Sequence, residues 1–434
     1  MSYNRIVKST LRLNLKTLPV IALAAAVMQI VDPSRAWVVL LVALGGAWLF
    51  SRWWVRGLAH SLRFERELRY GWAQVGDRLE ERFTLTNRFP LPATWVAVHD
   101  HSTLPDCRAS VATGVDGQSV SQWKILTQCT RRGVFMLGGA TLETGDPLGI
   151  YTLTLEDSAS STLAVMPPVI PLPRFEILAG GWTGEGRTHP RTPEETLNAS
   201  HTREMVPGDP LKWIHWKTTA RRNAFHVRAM EGTHAGDWWI LLDLYAGSQL
   251  GTGWNSTEEH GVILAASLIA QGLSEEHAVG LAVNGAEPAW HVPRRNEYQQ
   301  RSLLKSLAVA SPSGLSLKEY LHRAGEAFRH RGSLLIVTAC ANADWTPSLL
   351  PLMRRGILPT VFLLDINDYG GGADIGRTAA WIRSLGAACN VIARELFERP
   401  EARPGHEGEW EWRISATGRA HAVKKPAAEW KRLE

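Results

Sequence analysis

The residues best placed for chemistry stand where predicted strands end. Asp243 follows the apolar run Trp238–Leu242, and Thr338 and Asp365 end two later runs. Oxygen atoms at such positions are the ligands that a hard divalent cation takes, but the cation needs about six of them. Asp243 alone cannot supply enough. We therefore predict that Asp243 is a polar residue at a strand end. It is a candidate metal ligand, but we expect no metal site there.

Motifs of the common nucleotide-binding and hydrolytic sites are absent from the sequence. There is no Gly-x-x-x-x-Gly-Lys-Ser/Thr, no His-Glu-x-x-His and no Gly-x-Ser-x-Gly. His99 and His101 share one face of a predicted strand, but no third metal ligand is apparent. The four cysteines lie far apart and form no Cys-x-x-Cys pair. We expect no catalytic residue and no cofactor.

The candidate strand ends belong to a predicted α/β domain over residues 237–396. Strands are predicted at Trp238–Leu242, Ala278–Val283, Ser333–Thr338, Pro359–Asp365 and Asn390–Ala393. Helices are predicted at Thr257–Leu273, Glu297–Val309, Lys318–His330, Pro347–Arg355 and Thr378–Ala388. This alternation predicts a doubly wound, largely parallel sheet. Ligands of such sheets bind beyond the strand carboxyl ends, so the candidate binding face is Asp243, Tyr245, Ser248 and Thr338.

Residues 72–173 show short alternating runs separated by turn residues, which predicts an antiparallel, β-sandwich-like domain. Two motifs bracket a hairpin-like pair of strands in this domain. They are Arg132-Gly133-Val134 and Asp146-Pro147-Leu148-Gly149. Asp146-Pro147 is typical of a turn, and Gly149 suits a positive φ. The functional alternative is a site for an anion or a partner at Arg131 and Arg132.

The N-terminus contains two uncharged stretches, Thr17–Val31 and Ala36–Ser51, separated by a short polar turn. Each would form a helix of about 22 Å, which is short against a hydrocarbon core of about 30 Å. Leu11, Leu13 and Leu15 can lengthen the first helix, and Trp53, Trp54 and Val55 can extend the second. A transmembrane helical hairpin over residues 1–60 is the prediction. A signal peptide and a pair of buried core helices are the alternatives.

Positive charge is concentrated around this predicted hairpin. Residues 1–72 hold ten Lys and Arg against three Asp and Glu, a net +7, whereas the remainder has 37 against 39, a net −2. The overall +5 therefore gives no support to nucleic-acid binding. Basic residues precede the first helix and follow the second. We expect both ends on the cytoplasmic side of a bacterial inner membrane.

Residues 174–236 are predicted to be a linker that contains a dense motif. Asp209 suits a helix N-cap, and Pro210 suits the first helical position. Trp213, Trp216 and Ala220 would then share one face, with Ala220 small enough for a neighbour to approach closely. Packing explains this segment; a docking role for Lys217, Arg221 and Arg222 is the alternative. Residues 397–434 are a predicted tail that adds a late strand at Trp410–Ile414.

The order of these parts resembles the Domain of Unknown Function 58 family. The resemblance is carried by the two β-domain motifs and by Gly208, Asp209, Pro210, Ile214, Trp216, Lys217, Ala220 and Arg221. It implies a membrane hairpin, a β-domain and a domain of the von Willebrand factor A type. Such domains bind a divalent ion through Asp-x-Ser-x-Ser, and Tyr245 and Gly247 replace the two serines here.

Members of that family often accompany MoxR-type AAA+ ATPases, so the resemblance implies a protein partner of this kind. Taken together, these features of the sequence predict a membrane-anchored, multi-domain and non-enzymatic scaffold or adaptor. Its expected partners are the lipid bilayer and another protein, and no nucleic acid. The alternative is a metal-dependent enzyme or an ion-dependent receptor that uses the strand ends of the α/β domain.

Overall fold

A computed structural model describes residues 6–107, 109–178, 195–204, 216–222, 224–232, 237–325, 327–328, 332–398, 411–414, 420–424 and 431–432. The chain divides into two compact units. The first unit comprises Met1–Met166 and Pro404–Glu434, and the second comprises Pro167–Arg403.

The first unit begins with strand β1 (Ile6–Leu13) and a pair of helices, α1 (Thr17–Val31) and α2 (Arg35–Ser61). Ser34 caps α2, because its hydroxyl accepts a hydrogen bond from the Ala36 amide at 3.2 Å. Leu11 and Leu13 lie in β1, so the prediction that they lengthen the first helix is wrong. Their alternation with polar residues suits a strand, and β9 supplies the backbone partner.

Helix α2 is longer than its uncharged stretch, because its last turns pack on the body of the first unit. Trp54, Val55 and Leu58 belong to the buried core there. By length and composition, α2 is the one helix in the described part of the chain that can cross a membrane; α1 has 15 residues. Exposed apolar side chains cover both helices: Val20, Ile21, Leu23, Val27, Met28, Ile30 and Val31 in α1, and Val38, Val39, Leu40, Val42, Trp48, Leu49, Phe50 and Trp53 in α2.

The body of the first unit consists of strands that alternate buried and less buried residues. These strands are β2 (Leu62–Leu68), β3 (Trp72–Gln74), β4 (Arg78–Asn87), β5 (Ala93–Asp100), β6 (Val111–Val115), β7 (Ser119–Gln128), β8 (Gly133–Gly145) and β9 (Tyr151–Met166). One sheet has the order β1-β9-β8-β5-β6, with β3 beside β9; the other contains β2-β4-β7. Both sheets contribute to one core, which includes Phe83, Leu85, Leu142 and Leu155. The β-rich body therefore begins before residue 72.

Strand β8 is one long strand, where the sequence predicted a pair. It pairs with β9 along its length, and the register shifts between Gly138 and Ala140. Gly138 has a φ of 104°, which a side chain would rarely tolerate. The Arg132-Gly133 motif and the Asp146–Gly149 motif therefore lie at opposite ends of a single strand.

The second unit starts with β10 (Glu195–Glu204), α3 (Trp216–Arg222) and β11 (His226–Gly232), in which β10 and β11 pair antiparallel. Its later strands are β12 (Asp237–Asp243), β13 (Gly251–Thr252), β14 (Asn255–Ser256), β15 (Val279–Asn284), β16 (Ala289–Arg294), β17 (Gly332–Thr338), β18 (Leu358–Leu364) and β19 (Ala388–Ile392). Its later helices are α4 (Thr257–Ser274), α5 (Glu297–Ala308), α6 (Leu317–Ala324), α7 (Leu350–Arg354), α8 (Ile375–Ser384) and α9 (Glu395–Glu398).

The main sheet of the second unit has the order β16-β15-β12-β17-β18-β19. All neighbouring pairs are parallel except β15 with β16. β17 is buried along its whole length, and β12 is buried from Trp238 onward, as expected for strands covered on both faces. Because parallel strands point the same way, the carboxyl ends of β15, β12 and β17 lie at one edge of the sheet. We call this edge the strand-end edge.

The C-terminal segment contains β20 (Glu411–Ile414), β21 (Ala420–Lys424) and β22 (Lys431–Arg432). β20 pairs with β21, whereas β22 pairs antiparallel with β2 of the first unit, opposite Glu67 and Leu68. The predicted late strand is present as β20, and two further strands, β21 and β22, follow where the sequence predicted only a tail.

Candidate functional site

Three polar side chains meet at the strand-end edge, one from each of three adjacent strands. Asp243 ends β12, Asn284 ends β15 and Thr338 ends β17. The Thr338 hydroxyl donates to Oδ2 of Asp243 at 2.8 Å, and Nδ2 of Asn284 donates to Oδ1 at 2.8 Å. The structure therefore brings together Asp243 and Thr338, two members of the predicted binding face.

The carboxylate of Asp243 is engaged by protein donors on both oxygens. The Tyr245 amide also donates to Oδ1, at 3.3 Å, and the side chain is only 2% exposed. Burial raises the pKa of Asp243, and the hydrogen bonds from Thr338, Asn284 and the Tyr245 amide oppose this rise. This arrangement ties the ends of three neighbouring strands together.

Tyr245 and Ser248, the other members of the predicted face, lie on a short loop that starts beside Asp243. The loop forms a 3-10 helix at Ala246–Ser248, and the Ser248 hydroxyl donates to the Tyr245 carbonyl at 2.9 Å. A Cβ at Gly247 would lie 2.7 Å from the Tyr245 ring, so a side chain at this position would require the ring to move. Tyr245 and Ser248 are both partly exposed. They form an ordered surface rather than a ligand set.

Asn284 and Ser313 belong to this site but were not predicted from the sequence. Asn284 also donates to the Leu315 carbonyl at 2.9 Å, and its Oδ1 accepts from the Ser313 hydroxyl at 3.3 Å. The signal for Asn284 was present in the sequence. Like Asp243, it is the first polar residue after a buried apolar run. Ser313 comes from a loop, and no periodic pattern marks it.

An aromatic cluster around His260 lies at the same edge, at the start of α4. Nδ1 of His260 hydrogen-bonds to the hydroxyl of Tyr369, which follows β18. The imidazole stacks on Phe397 with ring centroids 4.3 Å apart, and Trp254 meets it edge-on. Burial, and secondarily the charge of Arg394, lower the pKa of His260 to about 4. His260 is therefore a neutral, packed histidine at physiological pH, and no sequence motif marks it.

Among the described residues, no group of three or more His, Cys, Asp or Glu side chains is arranged to hold a metal ion. The side chains of His99-Asp100-His101 diverge. His99 faces Glu143 at 3.9 Å, and Asp100 accepts from Arg66 at 2.6 Å. Nε2 of His101 lies 2.8 Å from the Thr141 hydroxyl. Each residue of this triplet therefore has its own protein partner.

Asp146 of the second motif is a buried connector between the β-body and α2. Its Oδ2 accepts from the Ser51 hydroxyl at 2.8 Å and the Leu148 amide at 3.0 Å, and its Oδ1 accepts from the Tyr151 amide at 2.6 Å. Gly149 has a φ of 69°, in line with the turn expected after Asp146-Pro147. This motif positions the turn against the helix.

The Arg132-Gly133 motif lies at the other end of β8. Arg132 is buried, whereas Arg131 is exposed, so the two arginines do not present one common surface. Gly133 has a φ of 151°. The anion site proposed for Arg131 and Arg132 from the sequence therefore lacks a shared exposed pocket.

The dense motif of the second unit is only partly described by the structure. Gly208, Asp209, Pro210 and Ile214 lie outside the described residues, and with them the predicted cap. Trp216, Lys217, Ala220 and Arg221 are in α3, between the paired strands β10 and β11. Ala220 and Arg221 are exposed, so the close approach predicted at Ala220 is not observed.

The second unit is thus an α/β domain whose strand-end carboxylate is bonded internally. Residues 201–368 match the family described as protein of unknown function DUF58, which confirms the resemblance over that stretch. The uncharacterized protein YeaD of Bacillus subtilis is 24% identical over 58% of this chain and 63% of its own length. The uncharacterized protein Rv1480 of Mycobacterium tuberculosis is 24% identical over 38% of this chain and 55% of its own length. The chain thus covers less than two thirds of either relative.

Two solved structures show only low similarity to this chain. A complex of zinc 2-glycoprotein and prolactin inducible protein from human seminal plasma matches 24% of this chain and 92% of its own chain, with a TM-score of 0.18 and 8% identity. A Paenibacillus cycloisomaltooligosaccharide glucanotransferase matches 77% of this chain and 53% of its own, with a TM-score of 0.17 and 8% identity. Scores of this size carry no argument about fold or function.

Proposed function

We propose that this protein is a non-enzymatic scaffold or adaptor, anchored in a bacterial inner membrane by α1 and α2. The observation that carries the anchor is the exposed apolar surface of both helices. In water this surface would be costly, whereas in a bilayer it faces hydrocarbon. The basic residues at the base of the hairpin and their scarcity at its tip favour a cytoplasmic location for both units.

In this proposal the first unit is a β-sandwich-like domain and the second is of the von Willebrand factor A type. The strand-end edge of the second unit is the docking surface for a protein partner. Its support is the ordered, partly exposed loop of Tyr245 and Ser248 beside a carboxylate that has protein donors on both oxygens. A fixed loop loses little conformational entropy when a partner binds. A MoxR-type AAA+ ATPase is the first candidate for that partner.

The alternative, a metal-dependent enzyme or receptor, is less favoured by this geometry. A cation at Asp243 would have to displace the hydroxyl of Thr338 or the amide of Asn284, each 2.8 Å from the carboxylate. Tyr245 and Gly247 also stand where the ion-binding pattern has serines. Gly247 has no side-chain oxygen to offer a hard cation.

The experiment that tests the adaptor role is crosslinking of the full-length protein in native membranes, followed by identification of captured proteins. Ser248→Arg places a bulky charge on the proposed surface and should reduce capture of the partner several-fold. Ser302→Arg is the matched control, because Ser302 is exposed in the middle of α5. Equal capture by the two variants would exclude this surface, and absence of any AAA+ ATPase would exclude that partner.

A further inference from the structure

The exposed part of the helical hairpin is shorter than the hydrocarbon core of a bilayer. α1 has 15 residues, and α2 is exposed from Arg35 to Phe50, so each spans about 22–24 Å. A hydrocarbon core is about 30 Å thick. A spanning segment that is too short thins the bilayer or draws its flanking residues into the interface. The residues around the base of the hairpin therefore influence how well its short helices match the thickness of the bilayer.

The end of the first unit from which the hairpin emerges exposes large apolar side chains. Leu148 is 55% exposed, Trp53 is 53% exposed and Trp95 is 40% exposed. We call these three residues the hairpin-root surface. Trp53 continues the exposed apolar surface of α2, whereas Trp95 and Leu148 belong to the β-body.

Contacts within the first unit fix the position of this surface beside α2. The Ser51–Asp146 hydrogen bond holds the Leu148 turn level with the last exposed turn of α2. A Cβ at Gly145 would lie 3.1 Å from the indole of Trp95, so Trp95 lies beside the same turn. The ring of Trp53 lies 5.3 Å from that of Phe89, in the loop that joins β4 to β5.

Charged residues around this end are mostly basic. Lys16, Arg56 and Arg88 are exposed and Arg52 is partly exposed, against the exposed acid Asp116. Lys and Arg near a membrane surface gain about 1 kcal/mol each from anionic lipids. Tryptophan prefers the headgroup level of a bilayer. An exposed apolar surface surrounded by basic residues suits a lipid interface better than the surface of a soluble protein.

We propose that the hairpin-root surface binds the membrane interface, with Leu148 inserted below the headgroups and Trp53 and Trp95 at headgroup level. This proposal rests on the anchor proposed above and adds a second contact to it. The contact makes up for the short helices and fixes the orientation of the first unit on the bilayer. The β-body then lies on the membrane surface and is not held away from it by a flexible link.

The test replaces single residues of the full-length protein by a photo-crosslinking amino acid and measures lipid adducts in native membranes. Leu148 is the reporter of the proposed contact. Val134 is the matched control, because it is 54% exposed and lies at the other end of β8, about 36 Å along the strand from the Gly145 end that leads into the Leu148 turn. Val42, which is exposed in the middle of α2, reports the anchor itself.

The proposal expects lipid adducts at position 42 and at position 148, the latter several-fold above those at position 134. Adducts at 42 with equal, low yields at 148 and 134 would overturn the interfacial contact and leave the anchor intact. Absence of adducts at 42 would overturn the anchor. Protein adducts in place of lipid adducts at 148 would assign this surface to a protein partner and would also overturn the proposal.

Discussion

At the scale of single residues, Asp243 is a structural acceptor, and its removal takes a hydrogen-bond acceptor from the Thr338 hydroxyl, the Asn284 amide and the Tyr245 backbone amide. We expect Asp243→Ala to destabilise the second unit, since the Thr338 hydroxyl and the Asn284 amide each lose a hydrogen bond to a charged group. A loss of about 1.5–3 kcal/mol per such bond is usual. Asp243→Asn keeps one carbonyl oxygen and should cost less. Urea unfolding of the full-length protein in detergent measures both variants.

The same residue decides between the structural role and a metal site. Calorimetry with Mg²⁺ and Mn²⁺ should show no saturable binding to the wild-type protein, because the Asp243 carboxylate already has protein donors on both oxygens. Saturable binding that Asp243→Ala abolishes would contradict this interpretation. It would restore the ion-dependent alternative.

His260 should make the stability of the second unit depend on pH. Its pKa falls from 6.5 to about 4 on folding, so the unfolded chain takes up the proton more readily. The stabilisation is complete above about pH 6.5 and is lost as the pH falls toward 4. His260→Phe keeps a ring against Phe397 but removes the titration. Unfolding midpoints of both proteins across this range should diverge, and parallel curves would show that another group is responsible.

At the scale of elements, Gly57 permits the contact between α2 and the loop of Phe89. A Cβ at Gly57 would lie 2.2 Å from the Phe89 ring, whereas nothing lies within 4 Å of a Cβ at Gly45. Gly57→Ala should therefore destabilise the first unit by about 1–3 kcal/mol, as overpacking does. Gly45→Ala, in the same helix, is the control and should be neutral or slightly stabilising. Thermal unfolding in detergent compares the two variants. Equal unfolding midpoints would contradict the close packing of Gly57 against Phe89.

The sequence predicted best those elements that are buried on both sides. β12, β15 and β17 are continuous apolar runs, and their ends placed Asp243 and Thr338 at one edge correctly. β16 was missed because it is an edge strand with alternate residues exposed, which periodicity over six residues does not distinguish from a loop. The sequence predicted an extension of α2 to Val55, and its continuation to Ser61 was missed. Arg52 and Arg56 interrupt the apolar run, and only packing on the β-body explains why the helix continues.

Contacts between segments that are distant in the chain could not be predicted from the sequence, for a different reason. Ser51 and Asp146 are 95 residues apart, and neither local propensity nor periodicity relates them. Asp146 was predicted as a turn residue, and it does open a turn. That its carboxylate also accepts from α2 depends on the packing of the whole first unit. The same holds for Asn284 and Ser313, whose partners come from separate elements.

At the scale of the whole molecule, the proposed topology places both units in the cytoplasm and the turn between α1 and α2 outside. A cysteine introduced at Ser34 should react with a membrane-impermeant thiol reagent in spheroplasts. Ser302→Cys is the control and should react only after permeabilisation, because it lies on exposed α5 of the second unit. Reaction of both in intact spheroplasts would invert the topology, and protection of both would place the turn inside.

The pairing of β22 with β2 has a consequence for the order in which the protein folds. β2 directly follows the helical hairpin, and its partner β22 leaves the ribosome hundreds of residues later. During synthesis, therefore, one edge of β2 stays partly open until β22 is made. An open edge is a template for pairing with a foreign strand. The charges of Arg63, Glu65 and Glu67 along β2 discourage such pairing while the chain is incomplete, and the arrival of β22 closes part of that edge.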